Sequence, residues 1–298
     1  MAMSEAVKQF LDYLSLERSY SQRTVDEYGR DLQSFELYFT QMDNQLSWAT
    51  VDADVIRDWM ESMMDRGNTA TSINRRLSAV RSFYRFALKR RLVEHDPAHG
   101  LVGPKKQKPL PVFLQEQQMD LLLDKRFWTD SYDDTLARTL FIILYETGMR
   151  SAEVLGLDVD SVDRMNRVFK VTGKRNKQRL IPYGEELEGV LEDYLKAREA
   201  LPVVNTEALL LCKKGTRLTK QQLYHIVRSN LAKVTTQKKR SPHVLRHTFA
   251  TVMLNNEAGL QSVQRLLGHE SLKTTEVYTH TTFEQLRKVY DKAHPRKE

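Results

Sequence analysis

Leu136-Ala137-Arg138-Thr139-Leu140-Phe141-Ile142-Ile143-Leu144-Tyr145-Glu146-Thr147-Gly148-Met149-Arg150 is the stretch that decides the fold. From 135 to 147 it is nearly continuously apolar, so it reads as a helix buried on all sides at the centre of a core. Gly148 supplies the usual left-handed stop. Arg150 then emerges at a tight corner, before a second helix that starts near Ser151 and carries Glu153. An arginine there either pairs structurally with Glu153 or presents its planar fork to an anion such as phosphate.

Downstream, Val168-Phe169-Lys170-Val171 and Arg179-Leu180-Ile181-Pro182 read as two short strands joined by a turn over Gly173-Lys174-Arg175-Asn176-Lys177-Gln178. Lysines at such a tip are usually solvated. Ser241-Pro242-His243 reads as a helix start, with serine capping and proline at the first helical position. On that helix Leu245, Phe249 and Val252 share one face, and His243, Arg246, His247 and Ala250 lie roughly opposite. His243 and Arg246 fall in the first turn, where free amides and the dipole favour an anion, and Lys238-Lys239-Arg240 leads straight into it. His243 and His247 also have the i, i+4 spacing of a zinc pair, but neither the glutamate of a zinc protease nor a third ligand accompanies them; His247 reads as a structural hydrogen bonder. A short amphipathic helix over 262–267 stops at Gly268, His269 follows in the turn, and a further helix over Ser271 to Tyr278 presents Tyr278 near its end. The tail from Thr282 matches a capping box with Gln285 and carries the stripe Phe283, Leu286, Val289 and Tyr290.

Upstream, four prolines (97, 104, 109 and 111) fall among glycines and lysines, which reads as an extended basic linker. Before it, helices are expected near 4–18, 22–41, 52–66 and 70–92. The second buries Val25, Tyr28, Leu32, Phe35 and Phe39. The fourth holds Arg75, Arg76, Arg81, Arg85 and Lys89 with no acid between Thr69 and Arg91. Arg81, Arg85 and Lys89 share a face, either a solvated one or a phosphate track.

With 298 residues the chain is long enough for two domains. Its 46 Lys and Arg against 39 Asp and Glu favour an anionic partner such as nucleic acid. Its one cysteine, Cys212, excludes an internal disulfide and is expected to pack in a buried strand. No apolar run approaches the ~20 residues of a membrane span, so a cytoplasmic location and no membrane partner are expected.

Taken in order, Thr147-Gly148-Met149-Arg150-Ser151-Ala152-Glu153, Gly173-Lys174, His243-Val244-Leu245-Arg246-His247, Leu267-Gly268-His269 and Tyr278-Thr279-His280 resemble the tyrosine recombinases, the site-specific DNA recombinase and integrase family, most closely its Xer-type members. The resemblance covers almost the whole chain. It implies a mainly α fold with a small β-sheet: an N-terminal helical-bundle, SAM-like core-binding domain (1–96), a linker (97–111) and an α+β catalytic domain (112–298) whose last helix docks into a neighbouring protomer. It also implies the roles. Tyr278 is the nucleophile, Arg150, Arg246 and His269 hold the scissile phosphate, Lys174 protonates the departing 5′ oxygen, and His243 accepts the tyrosine proton. Arg175 stands where the family commonly has a second glycine, which leaves Lys177 as a rival to Lys174.

No metal and no cofactor are implied. The implied partners are a double-stranded DNA recombination site and identical or related protomers in a tetramer, with a DNA translocase left open. Three readings remain: a Xer-type recombinase resolving chromosome or plasmid dimers, an integrase of a phage or conjugative element, and a DNA-binding regulator without catalysis.

Overall fold

The computed structural model describes residues 3–106, 112–173, 177–268 and 280–295, with side chains in the last segment from 286 onward. The chain divides into two compact units, Met1–Pro109 and Leu110–Glu298.

The N-terminal unit is helical. α1 (Glu5–Asp12) runs into a π-helical turn, Tyr13–Glu17, where the sequence suggested one continuous helix. α2 (Gln22–Met42), α3 (Ala53–Asp65) and α4 (Ala70–Lys89) each begin at a side-chain cap: Ser21, Asp52 and Thr69 accept from the Thr24, Val55 and Ser72 amides. The α2 stripe faces inward as its spacing dictates, with Leu32, Phe35 and Phe39 buried against Trp48, Trp59, Phe83 and Tyr84. Two polar groups in this core are satisfied internally: the Trp48 indole donates to Glu36 Oε1 at 3.0 Å and the Tyr84 hydroxyl to the Trp48 carbonyl at 3.1 Å. The expected linker begins later than its first proline. Ala98 and Leu101 are buried in this core, and the Asn74 amide donates to the Pro104 carbonyl at 2.8 Å.

The second unit is built around α6 (Tyr132–Thr147), which is buried from Leu136 to Thr147, as its unbroken apolar run requires. α5 (Glu116–Leu123), α8 (Glu185–Glu199), α9 (Lys220–Val234) and α10 (Pro242–Asn255) pack around it. Gly148 ends α6 at φ 59°, and a Cβ there would lie 2.5 Å from Phe249 Cδ1 of α10, so both conformation and space demand glycine. Met149 and Arg150 then turn the chain into α7 (Ser151–Leu155). A three-stranded antiparallel sheet follows, in the order β1 (Val162–Asp163), β2 (Val168–Thr172), β3 (Gln178–Pro182). Phe169 faces Ile181 and Val171 faces Arg179, and this row is the buried face of the β2–β3 hairpin.

α11 (Leu260–Leu267) stops at Gly268, and α12 (His280–Ala293) closes the described chain. The tail helix had been expected to reach a neighbouring protomer. In the single chain it lies on its own unit, with Leu286, Tyr290 and Ala293 buried against Phe249, Met253, Val263, Leu266 and Leu267. The Tyr290 hydroxyl donates to Glu146 Oε2 at 3.3 Å, and the Gly184 amide donates to the same oxygen at 2.9 Å. Cys212 is not in a strand as expected: it opens a turn and lies half-buried, its Sγ 3.1 Å from Thr216 Oγ1. Among the described residues no helix is long and apolar enough to cross a membrane.

Candidate active site

Four charged side chains from four elements meet at the end of α6. Arg150 lies at the α6–α7 corner, Glu153 in the first turn of α7, Arg179 on β3 and Arg246 in the first turns of α10. Glu153 is the hub. Its Oε1 accepts from Arg150 Nη1 at 2.9 Å and from Arg179 Nη1 at 2.8 Å, and its Oε2 accepts from the Arg150 amide at 2.8 Å and from Arg179 Nη2 at 2.9 Å. Four donors fill the roughly four lone-pair positions of one carboxylate. Burial on its own would raise the Glu153 carboxyl, but hydrogen bonds from Arg179, then the charges of Arg179 and Arg150, outweigh it and hold the group below its ordinary value.

The arginines also hold main chain. Arg150 Nη2 donates to the Gly268 carbonyl at 2.8 Å. Arg246 donates from Nη1 to the Gly148 carbonyl at 2.6 Å and from Nη2 to the Leu267 carbonyl at 2.7 Å, tying the α6 terminus to the α11 terminus. The wheel position of Arg246 suggested an open face, yet the residue is only 8% exposed because those two termini close over it. Burial, and next the Arg150 charge, push the Arg246 guanidinium down to about 10, so it stays charged at neutral pH. The Arg150 side chain remains 41% exposed, the accessible fork of the group.

His243 sits in the first turn of α10 on the exposed side. Partial burial of the imidazole, followed by the charges of His247, Arg246 and Lys239, lowers its pKa, so it is neutral at pH 7 and able to accept a proton. Pro242 occupies the first helical position as expected, but the Ser241 side chain makes no cap. The Ser241 residue is extended, and its carbonyl accepts from the Val244 amide at 2.9 Å instead. His247 is exposed and its pKa is likewise lowered, chiefly by burial. Among the described residues no three His, Cys, Asp or Glu side chains gather as a metal site requires. Lys177 is exposed at the hairpin end, its carbonyl accepting from the Gly173 amide at 2.7 Å. Lys174, His269 and Tyr278 lie outside the described residues.

Of the five basic residues singled out on α4, four have partners within their own unit, Arg85 through its Nε, which donates to the Arg81 carbonyl at 3.3 Å. Arg75 chelates the buried Asp31 carboxylate, with one bond of 2.9 Å. Arg76 approaches the same carboxylate at 3.8 Å, and Arg81 donates to the Leu101 carbonyl. Arg85 and Lys89 are exposed and pair with no acid among the described residues. Arg179 is the residue that sequence reasoning passed over. Strand alternation placed it on the same face as Ile181, and a charged residue on a core-facing position is itself a signal.

Comparison with known proteins agrees along the whole chain. The model of the phage integrase family matches residues 112–285, and that of the phage integrase N-terminal SAM-like domain matches residues 7–91. The tyrosine recombinase XerD of Staphylococcus epidermidis is 34% identical over 299 residues, covering 99% of this chain and 100% of that protein. The tyrosine recombinase XerC of a Mycobacterium species is 38% identical over 299 residues with the same coverage. Among solved structures, the XerH site-specific recombinase bound to a palindromic difH substrate shares the fold, with a TM-score of 0.72 at 23% identity over 96% of this chain and 94% of that one.

Proposed function

This chain belongs to the phage integrase family, the tyrosine recombinases, and is a site-specific DNA recombinase; we propose that its chemistry is carried by Arg150, Lys174, His243, Arg246, His269 and Tyr278. One observation supports this most directly. Arg150 and Arg246, 96 positions apart in sequence, are brought to one carboxylate-anchored cluster beside Gly268, the residue that precedes His269. In the proposed reaction the Tyr278 oxygen attacks a DNA phosphorus, the bond to the 5′ oxygen breaks, and the strand is held as a 3′-phosphotyrosyl ester. Arg150, Arg246 and His269 neutralise the charge that grows on the nonbridging oxygens. Lys174 protonates the departing oxygen, and neutral His243 takes the tyrosine proton, needed because a phenol with a pKa of about 10 is a poor nucleophile at pH 7. A 5′ hydroxyl from a partner strand reverses the step, so strand exchange needs neither ATP nor metal.

The Xer names of its relatives support a role in resolving chromosome or plasmid dimers in the cytoplasm, by protomers joined in a tetramer on two duplexes. A DNA translocase is the proposed external activator. Residues 1–96 serve as the core-binding clamp and 112–298 as the catalytic domain, with exposed Arg85 and Lys89, and Arg75 oriented by Asp31, on DNA phosphates.

The test is covalent trapping. A nicked duplex carrying the genomic site that the protein occupies should yield a protein–DNA adduct, with the modified peptide mapping to Tyr278 and the yield unchanged by EDTA. An adduct on another residue, or none, overturns the chemistry, and occupancy at the ends of a mobile element rather than near the replication terminus overturns the Xer role. The rate of attachment should also fall on acidification with a midpoint below the ordinary imidazole value of about 6.5, since the charge that arises on His243 is disfavoured by its partial burial and next by its cationic neighbours. His243→Gln should slow the reaction and flatten that acid limb. A limb that persists unchanged in the variant assigns the titration elsewhere.

A further inference from the structure

We propose that Arg179 is a positioning residue for the phosphate fork of Arg150, acting through Glu153 by balancing its charge. The inference rests on the recombinase reading above and concerns a residue outside the six assigned to the chemistry. Arg179 lies on the buried face of β3, its side chain 7% exposed, and both ends of its fork engage Glu153, at 2.8 and 2.9 Å. It reaches no other acid among the described residues, and its Nε is buried without a hydrogen-bond partner. A Cβ on Gly268 would lie 3.0 Å from its Cζ, so it also fills the space directly beneath the turn that leads to His269.

Charge makes this pairing more than packing. Arg150, Arg179 and Arg246 set three positive charges against the single negative charge of Glu153. Without Arg179, Glu153 and Arg150 would form a neutral couple, and the carboxylate would face an incoming phosphate while drawing on the donors that must bind it. With Arg179 present, every lone-pair position of Glu153 is filled, its charge is cancelled from the protein side, and the Arg150 charge is left for the substrate. A buried pair stripped of one partner leaves an uncompensated charge, whereas removing both charges is far better tolerated.

The experiment is a charge series measured by attachment rate on the nicked duplex, with gel-shift affinity and thermal melting alongside. Arg179→Gln leaves one net positive charge in the cluster. Arg179→Lys and the double variant Glu153→Gln/Arg179→Gln both keep the parental two. Arg179→Gln is expected to slow attachment by about 10- to 100-fold with duplex affinity within about threefold, while the Lys and double variants stay within about tenfold of the parent. A purely structural role predicts a double variant no faster than Arg179→Gln, and that result overturns the proposal. So does a parental rate in Arg179→Gln. If Arg179→Gln does not melt cooperatively, the other two carry the test, and a hundredfold loss in either overturns it. A parent protein that forms no adduct would sink the recombinase reading itself, a result distinct from an active parent indifferent to Arg179.

Discussion

Arg150→Lys is expected to slow covalent attachment to the nicked duplex by about 10²- to 10³-fold, the usual effect of removing a donor from a site that stabilises developing oxyanion charge. The substitution keeps the charge, so the loss must come from geometry. A guanidinium has five N–H donors, and the Arg150 side chain commits one to Glu153 and one to the Gly268 carbonyl, which leaves three for a phosphate. Lysine has three donors on one atom, and satisfying the same two protein acceptors leaves it one. The side chain is 41% exposed, so the cost to folding should stay near 1 kcal/mol, a fall in melting temperature of about 2–4 °C. A lysine variant that attaches within threefold of the parent rate would show that charge alone suffices. One that fails to bind DNA at all would move Arg150 from the reacting phosphate to general DNA affinity.

The contrast between Arg150 and Arg179 shows what a sequence can and cannot reveal. Arg150 was legible because local rules converge on it: a buried apolar helix, a glycine stop, a new helix start and an acid at the third position. The same kind of evidence located α2, α4, the β2–β3 hairpin and the proline-led start of α10. Arg179 depends on a contact 26 positions away, and only the register Val171↔Arg179 sets it beside Glu153. The burial of Arg246 has the same origin, since the two carbonyls that cover it come from helix ends 98 and 21 positions distant. α8 is a different kind of omission. Leu187, Val190, Leu191 and Tyr194 repeat at helical spacing and are all buried, but dense charge around them masks the stripe from a reading led by motifs. β1, two residues long, has no periodicity to detect.

Gly148→Ala should strongly damage the second unit, because two independent penalties fall on one atom. At φ 59° an L-residue is strained by about 1 kcal/mol or more, and the new Cβ would stand 2.5 Å from Phe249 Cδ1 and 2.9 Å from Leu267 Cδ2, overpacking worth a further ~1–3 kcal/mol. Together these amount to roughly 2–4 kcal/mol, a fall in melting temperature of roughly 5–15 °C for a unit of this size. Gly67→Ala is the control. It has a similar φ of 75° with nothing within 4 Å of the new atom, so it carries the backbone penalty alone. The effect of Gly148→Ala on activity should exceed its effect on folding, since the Gly148 carbonyl anchors Arg246 and Arg150 lies two residues on. Relief of the clash should be specific: Phe249→Leu, destabilising by itself, is expected to recover part of the melting temperature when combined with Gly148→Ala, a non-additivity that contacting residues show and distant ones do not. If Gly148→Ala melts like Gly67→Ala, Phe249 yields without cost, and the close packing of the α6 terminus against α10 is not what fixes the arginine cluster.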